Sequence, residues 1–175
     1  MTWRAILTTS AVVAPITAVS LDIFGYVAKV EGISMQPTLN PTGESDYIFL
    51  NRWAVRNYEF ARGDVVSLMC PNNPKQKIIK RIVALEGDTV KTISYKNRKV
   101  IIPKGHCWLE GDNRNHSLDS NYFGPVALGL ITAKAKRIIW PPTRWKEIEF
   151  SNSIGSDRLK IPFANDDDDD DEDNF

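Results

Sequence analysis

Histidine and cysteine, from which many hydrolytic and metal sites are assembled, are scarce here: two of each occur in 175 residues. Two cysteines, Cys70 and Cys107, cannot supply the multi-bridge framework of a small secreted domain. Lying beside Pro71 and Trp108, they read as strand ends and leave the redox compartment open. A zinc site would have to recruit Cys70, Cys107, His106 and His116, yet the sequence holds no C-x-x-C or H-x-x-x-H pair to nucleate one. These residues are therefore read as buried thiols and surface imidazoles, with no metal expected. A G-x-S-x-G nucleophile elbow is missing as well.

Net charge is also lacking, since 22 basic residues balance 22 acidic ones. The balance is uneven, because eight of the acids lie in Asp166–Asp173 and leave the rest of the chain with a basic surplus of eight. The basic residues form no stripe and have no aromatic ladder beside them, which argues against nucleic-acid binding. The tail from Asn165 onward is nearly pure acid and cannot bury apolar surface. It reads as a disordered extension that solubilises the chain or contacts a basic partner.

A chain of this length builds one good core with an appended segment rather than two full domains. Ala5 to Leu21 is an uncharged run of 17 residues, which as a helix spans about 26 Å against a bilayer core of about 30 Å. Pro15, Asp22 and five hydroxyl residues weaken it as a span. It is read as a permanent membrane anchor. A buried core helix, an uncleaved targeting segment and a cleaved secretory signal ending near Ala18-Val19-Ser20 are the other readings.

Beyond the anchor, Lys29 to about Arg144 has the pattern of short strands: Tyr47 to Leu50, Val65 to Met69, Ile78 to Leu85, Thr89 to Ile93, Lys99 to Ile102, Cys107 to Glu110 and Ala135 to Trp140. Turn clusters separate them at Arg62-Gly63-Asp64, Pro71 to Pro74, Glu86-Gly87-Asp88, Lys96-Asn97 and Gly111-Asp112-Asn113. Evenly spaced strands with no long amphipathic helix predict a mainly β fold, an antiparallel sandwich or barrel. Pro141-Pro142 marks its end. The expected division is an anchor over residues 1–28, a catalytic domain over 29–145 and a C-terminal extension over 146–175.

Ser34, in Gly32-Ile33-Ser34-Met35-Gln36-Pro37, lies soon after the anchor, and Pro37 stiffens the segment that carries it. A nucleophilic serine needs a base, and lysine is an alternative to the two histidines, each of which lies among polar or turn residues. In Ile78-Ile79-Lys80-Arg81-Ile82, strand alternation puts Lys80 between Ile78 and Ile82 on one face. If that face is covered, desolvation lowers the lysine pKa from about 10.4 toward the range of a general base. An exposed edge-strand lysine is the other reading.

Four segments, in this order, resemble the motif boxes of type I signal peptidases: Ser34 to Leu39, Arg62 to Val66, Lys80 to Asp88 and Gly111 to Ser120. The short chain, Gly105 to Trp108, Phe123-Gly124-Pro125 and Trp140-Pro141-Pro142 resemble the second-subunit branch of the mitochondrial inner membrane members. The likeness covers roughly residues 26 to 145. It implies a membrane-bound serine endopeptidase in which Ser34 attacks, Lys80 is the base and the Ser117 hydroxyl orients the lysine amine, a Ser-Lys variant of triad logic. Two positions depart from the family pattern. Gly32 stands where some bacterial members have an oxyanion-stabilising hydroxyl, and Asn121 stands where they have an arginine paired with the counterpart of Asp119. Asp119 is therefore expected to turn to Arg81 or Arg114. Gly111, Asp112 and Asn113 are expected to shape the turn carrying Ser117, and Ile33, Met35 and Pro37 to touch substrate.

The resemblance further implies substrates that are precursor proteins with sorting peptides, having small residues before the cut, bound extended along a sheet edge. It implies a related first subunit as partner, lipid contact through the N-terminal helix, and residence in the mitochondrial inner membrane facing the intermembrane space. No cofactor is implied. A catalytically silent stabilising subunit and a soluble self-cleaving repressor with the same dyad are the competing classes. Retention of both Ser34 and Lys80 disfavours the first, and the lack of room for a helix-turn-helix before Ser34 disfavours the second.

Overall fold

A computed structural model describes residues 24–96, 98–149 and 158–160, together with residues 11, 13, 15 and 17. The described residues form strands β1 (Gly25–Lys29), β2 (Tyr47–Asn51), β3 (Val65–Cys70), β4 (Asn73–Ala84), β5 (Thr89–Lys91), β6 (Lys99–Ile101), β7 (His106–Glu110), β8 (Val126–Ala127), β9 (Ile131–Trp140), β10 (Lys146–Glu147) and β11 (Leu159–Lys160). A one-turn helix, α1, spans Ser120–Phe123. The main sheet runs β1-β2-β9-β3-β4-β7-β8 with β10 added on β9, and a smaller sheet runs β11-β5-β6. Every pairing among them is antiparallel, in keeping with the mainly β reading.

Period-2 alternation explains the burial. In β2, Ile48 and Leu50 are buried while Tyr47 is exposed, as a strand with one covered face requires. They join Met35, Leu39, Val65, Ala133 and Ile138 in one apolar cluster. A second cluster holds Val66, Leu68, Ile82, Cys107 and Leu109. Val65 and Val66 thus feed different clusters because adjacent strand residues point oppositely. A third, around Val83, Val90, Ile102 and Trp108, joins the small sheet to the ends of β4 and β7.

The observed sheet exceeds the expected one at several places. Residues 25–28, expected to belong to the anchor, form strand β1 together with Lys29 and pair with β2. Their apolar character merged with the preceding run and hid the boundary. Gly25 is required there, since a Cβ would sit 2.3 Å from the Leu50 carbonyl oxygen on the paired strand. β4 starts at Asn73 inside the expected turn and lengthens the hairpin with β3. At the other end, β10 pairs with β9 and β11 pairs with β5, so parts of residues 146–175 belong to the sheets rather than to an appendage.

Most of residues 5–21 and the acidic tail lie outside the described residues. Among the described residues, no helix is long and apolar enough to cross a membrane.

The long connection between β1 and β2 is fixed by polar groups. Asn40 and Asp46 exchange backbone-to-side-chain hydrogen bonds, Asn40 N–H to Asp46 Oδ2 and Asp46 N–H to Asn40 Oδ1, both 2.8 Å. The Asn40 amide also donates to the carbonyls of Val30 and Gly32 at 3.0 Å. Arg144 closes the network by pairing with Asp46 and donating to the Thr38 carbonyl at 3.0 Å. Asp46 is 1% exposed, so Arg144→Ala leaves a buried carboxylate without its cation and should cost about 3 kcal/mol of stability. Arg137→Ala, which breaks a half-exposed pair with Glu147, should cost under about 1 kcal/mol. Urea denaturation midpoints of the two variants check the contrast.

Candidate active site

Ser34 sits on a turn just after β1. The turn is closed by hydrogen bonds from Gln36 N–H to the Ile33 carbonyl at 3.1 Å and from Leu39 N–H to the Met35 carbonyl at 2.9 Å. Met35 and Leu39 anchor it in the first apolar cluster, which leaves Ser34 half-buried at the wall of a cleft of about 460 Å³. Glu31, Gly32, Ser34 and Met35 line one side of this cleft, and Gln76 to Lys80 of β4 line the other.

A second loop holds the Ser34 turn from behind. Asn113 N–H donates to the Ser34 carbonyl at 3.0 Å, and the Asn113 side-chain amide donates to the Ile33 carbonyl at 3.2 Å. Gly111 lies so close that a Cβ would be 2.4 Å from both the Ser34 carbonyl oxygen and Ser117 Oγ. Only glycine lets these two serine-bearing segments meet over one backbone. Ser117 Oγ is buried and, among the described residues, has no hydrogen-bond partner. Such an orphaned hydroxyl costs free energy unless something engages it.

Lys80 projects from β4 opposite Val66 of β3 and is 4% exposed. Ile78 and Ile82, two residues to either side, pack with the second apolar cluster. Burial pushes the Lys80 pKa below the ordinary lysine range, and the more distant charges of Asp119 and Asp112 oppose this only in part. No carboxylate forms an ion pair with Lys80 among the described residues.

The next residue on the strand has the opposite environment. Arg81 grips Asp112 through both fork nitrogens, Nε to Oδ1 at 2.8 Å and NH2 to Oδ2 at 2.7 Å, with both side chains sealed from solvent. Its NH1 donates to the carbonyls of Gly63 at 2.7 Å and Glu149 at 3.0 Å. Of the two arginines expected to turn to Asp119, Arg81 or Arg114, Arg81 is thereby excluded, because its guanidinium is fully committed elsewhere. The Asp119 carboxylate instead accepts from the Gly111 N–H at 3.1 Å and from the backbone and side-chain amides of Asn121 at 3.0 and 3.2 Å, and it caps α1.

Of the residues expected to touch substrate, Met35 lines the cleft, and Ile33 is 44% exposed next to the nucleophile. Pro37 turns away and lines a different cavity with Thr38, Arg81 and Ile138. The sequence pattern named Asp112 and Asn113 only as turn formers. Their grip on Arg81 and on the Ser34 turn depends on contacts between segments far apart in the chain, for which a turn motif carries no signal.

Gly111→Ala should lower turnover at least about 100-fold, the scale on which a small misplacement of reacting groups acts. The change should leave urea stability within about 2 kcal/mol of the parent, since one loop rather than the core is overpacked. Kinetics and denaturation of the same preparation check this.

The family described as signal peptidase, peptidase S26, matches residues 2–102 and 91–140. The mitochondrial inner membrane protease subunit 2 of Danio rerio is 54% identical over 91% of this chain and 87% of its own length. The Homo sapiens protein of the same name is 58% identical over 79% of this chain and 80% of its own. The mitochondrial inner membrane protease subunit 1 of Schizosaccharomyces pombe is 43% identical over 76% of this chain and 87% of its own. With a buried lysine and a half-buried serine on one cleft and these matches across its length, the chain belongs to the S26 signal peptidase family of serine peptidases.

Proposed function

We propose that the chain removes sorting peptides from precursor proteins by a Ser34/Lys80 dyad. The observation that carries this reading is a buried Lys80, with no carboxylate in ion-pair contact among the described residues, on the same cleft as Ser34, and a Ser117 hydroxyl, without a hydrogen-bond partner among those residues, packed on the loop that holds the serine. Neutral Lys80 Nζ takes the proton of Ser34 Oγ as the oxygen attacks the scissile carbonyl carbon. The protonated lysine then gives that proton to the leaving amine as the C–N bond breaks. Water, deprotonated by the same lysine, hydrolyses the ester and frees Ser34. The Ser117 hydroxyl, with no competing partner, is available to hold the amine in line.

The oxyanion falls to the backbone. Gly32 offers no hydroxyl, and its φ of +89° favours glycine. The Ser34 N–H has no acceptor among the described residues, which leaves it free to receive developing negative charge. The substrate has a place to lie: β7 joins β4 only from Arg81 onward, so residues 76–80 of β4 have no second strand beside them among the described residues. An extended peptide can pair there, opposite Glu31 to Met35, with main-chain bonds giving affinity and the cleft limiting side-chain size.

The names of the relatives support a setting in the mitochondrial inner membrane, and subunit 1 relatives support a related partner chain. In this reading residues 5–21 anchor the enzyme, the catalytic domain faces the intermembrane space, and tethering raises the effective concentration of cleavage sites near the bilayer.

Ser34→Ala and Lys80→Met should each reduce precursor cleavage by about 10³-fold or more, the scale of losing a nucleophile or its base. Full cleavage by either would refute the dyad. Stability separates the two variants. Burial holds the folded pKa of Lys80 below its unfolded value, so the unfolded chain binds the extra proton between the two values and stability rises with pH across that window. At every pH below the unfolded value of about 10.4 the burial of Lys80 opposes folding, and Lys80→Met should therefore raise the melting temperature at pH 7. Ser34→Ala should leave it nearly unchanged.

A further inference from the structure

We propose that Arg158, from the segment beyond the expected catalytic domain, is a positioning residue for the loop that holds Ser34 and Ser117. The inference rests on the peptidase mechanism above and begins with Glu110. This last residue of β7 is 1% exposed and directly precedes Gly111. Its carboxylate accepts from Trp108 Nε1 at 2.9 Å, from the Asn121 side-chain amide at 2.9 Å and from Arg158 NH2 at 2.6 Å. A carboxylate this deeply buried requires a cation or must give up its charge, and Arg158 is the one that pairs with it among the described residues.

Arg158 is itself held in place. Its NH1 donates to the Lys91 carbonyl at 3.0 Å, and the next two residues form β11 against β5. From Glu110 the connection runs to the catalytic loop through one amide. Asn121 Nδ2 donates both to Glu110 Oε1 and to Asp119 Oδ1, while Asp119 Oδ2 holds the Gly111 N–H. Two buried carboxylates thus flank Gly111 and share one amide, and the one on Glu110 is paired with Arg158. Asn121 brings an amide rather than a charge to these carboxylates, and the cation on Glu110 comes from residue 158. Without it, the Glu110 carboxylate draws Asn121 away from Asp119. Gly111 then loses its anchor at the point where Ser34 and Ser117 meet.

The test uses the full chain in detergent micelles, comparing Arg158→Gln, Arg158→Lys and Arg158→Gln/Glu110→Gln with the parent. Precursor cleavage gives kcat and KM, and hydrogen exchange reads the amides of Gly111 and Asn113. For Arg158→Gln, kcat should fall about 10-fold or more with KM within about 2-fold, and exchange at those two amides should rise about 10-fold with β3 and β9 protected as before. Arg158→Lys keeps the cation, and the double variant removes the need for it, so both should recover most of the loss. These two also decide the matter if Arg158→Gln alone does not fold. Parent-like kcat and exchange in Arg158→Gln would overturn the proposal, as would failure of both rescuing variants, or faster exchange spread evenly over β3 and β9. Should Ser34→Ala still cleave, the dyad falls, while the exchange data still decide the role of Arg158.

Discussion

The site depends on the ion pair between Arg81 and Asp112. Arg81 belongs to the strand that carries Lys80, and Asp112 belongs to the loop that braces Ser34 and Ser117. A bidentate pair with both partners buried fixes distance and orientation together. It is strong because the remaining Arg81 donors are also used, on the carbonyls of Gly63 and Glu149. Removing one partner would leave the other as an unpaired buried charge, at a cost of about 3–5 kcal/mol. Lys80 lies on β4 and Ser34 on the turn after β1, far apart in sequence, and this pair ties the strand of the one to the loop that braces the other.

Around the pair, cationic and neutral functions are divided between adjacent residues. Arg81 is always charged and satisfied by a carboxylate, whereas Lys80 is buried without one, so the first organises and the second can lose its proton. The alternation of a β-strand makes this possible, since neighbours point to opposite faces and meet different dielectric surroundings. Further polar networks extend the same principle outward. Asn40, Asp46 and Arg144 fix the connection carrying the Ser34 turn, and Glu110, Asn121 and Asp119 fix the start of the opposing loop.

Much of this was legible in the sequence. Tyr47 to Leu50, Val65 to Met69 and Cys107 to Glu110 had alternation or β-rich composition between turn clusters, and these became β2, β3 and β7. Ser34 and Lys80, singled out by the shortage of other bases and by four ordered motifs, line one cleft. What escaped has identifiable causes. β1 was hidden because Gly-Tyr-Val-Ala continues the apolar character of the run before it. β10 and β11 are two-residue strands, too short for any periodicity to show. Of the two arginines expected to face Asp119, Arg81 is excluded, because charge matching in sequence does not reveal that it faces Asp112 across a closed interface. Pro37, adjacent in sequence to the nucleophile turn, faces another cavity because the turn reverses the chain around it.

Burial holds Lys80 in a state from which it gives up its proton more readily than an ordinary lysine. The most direct measurement of this is an NMR titration of the Lys80 side chain, selectively labelled in the full chain and assigned by comparison with Lys80→Met. The structure predicts a titration midpoint below the ordinary lysine value of about 10.4, with Lys29, whose proton is held by a hydrogen bond to Glu31, still charged when Lys80 has lost its own. A midpoint for Lys80 at or above that ordinary value would contradict the account.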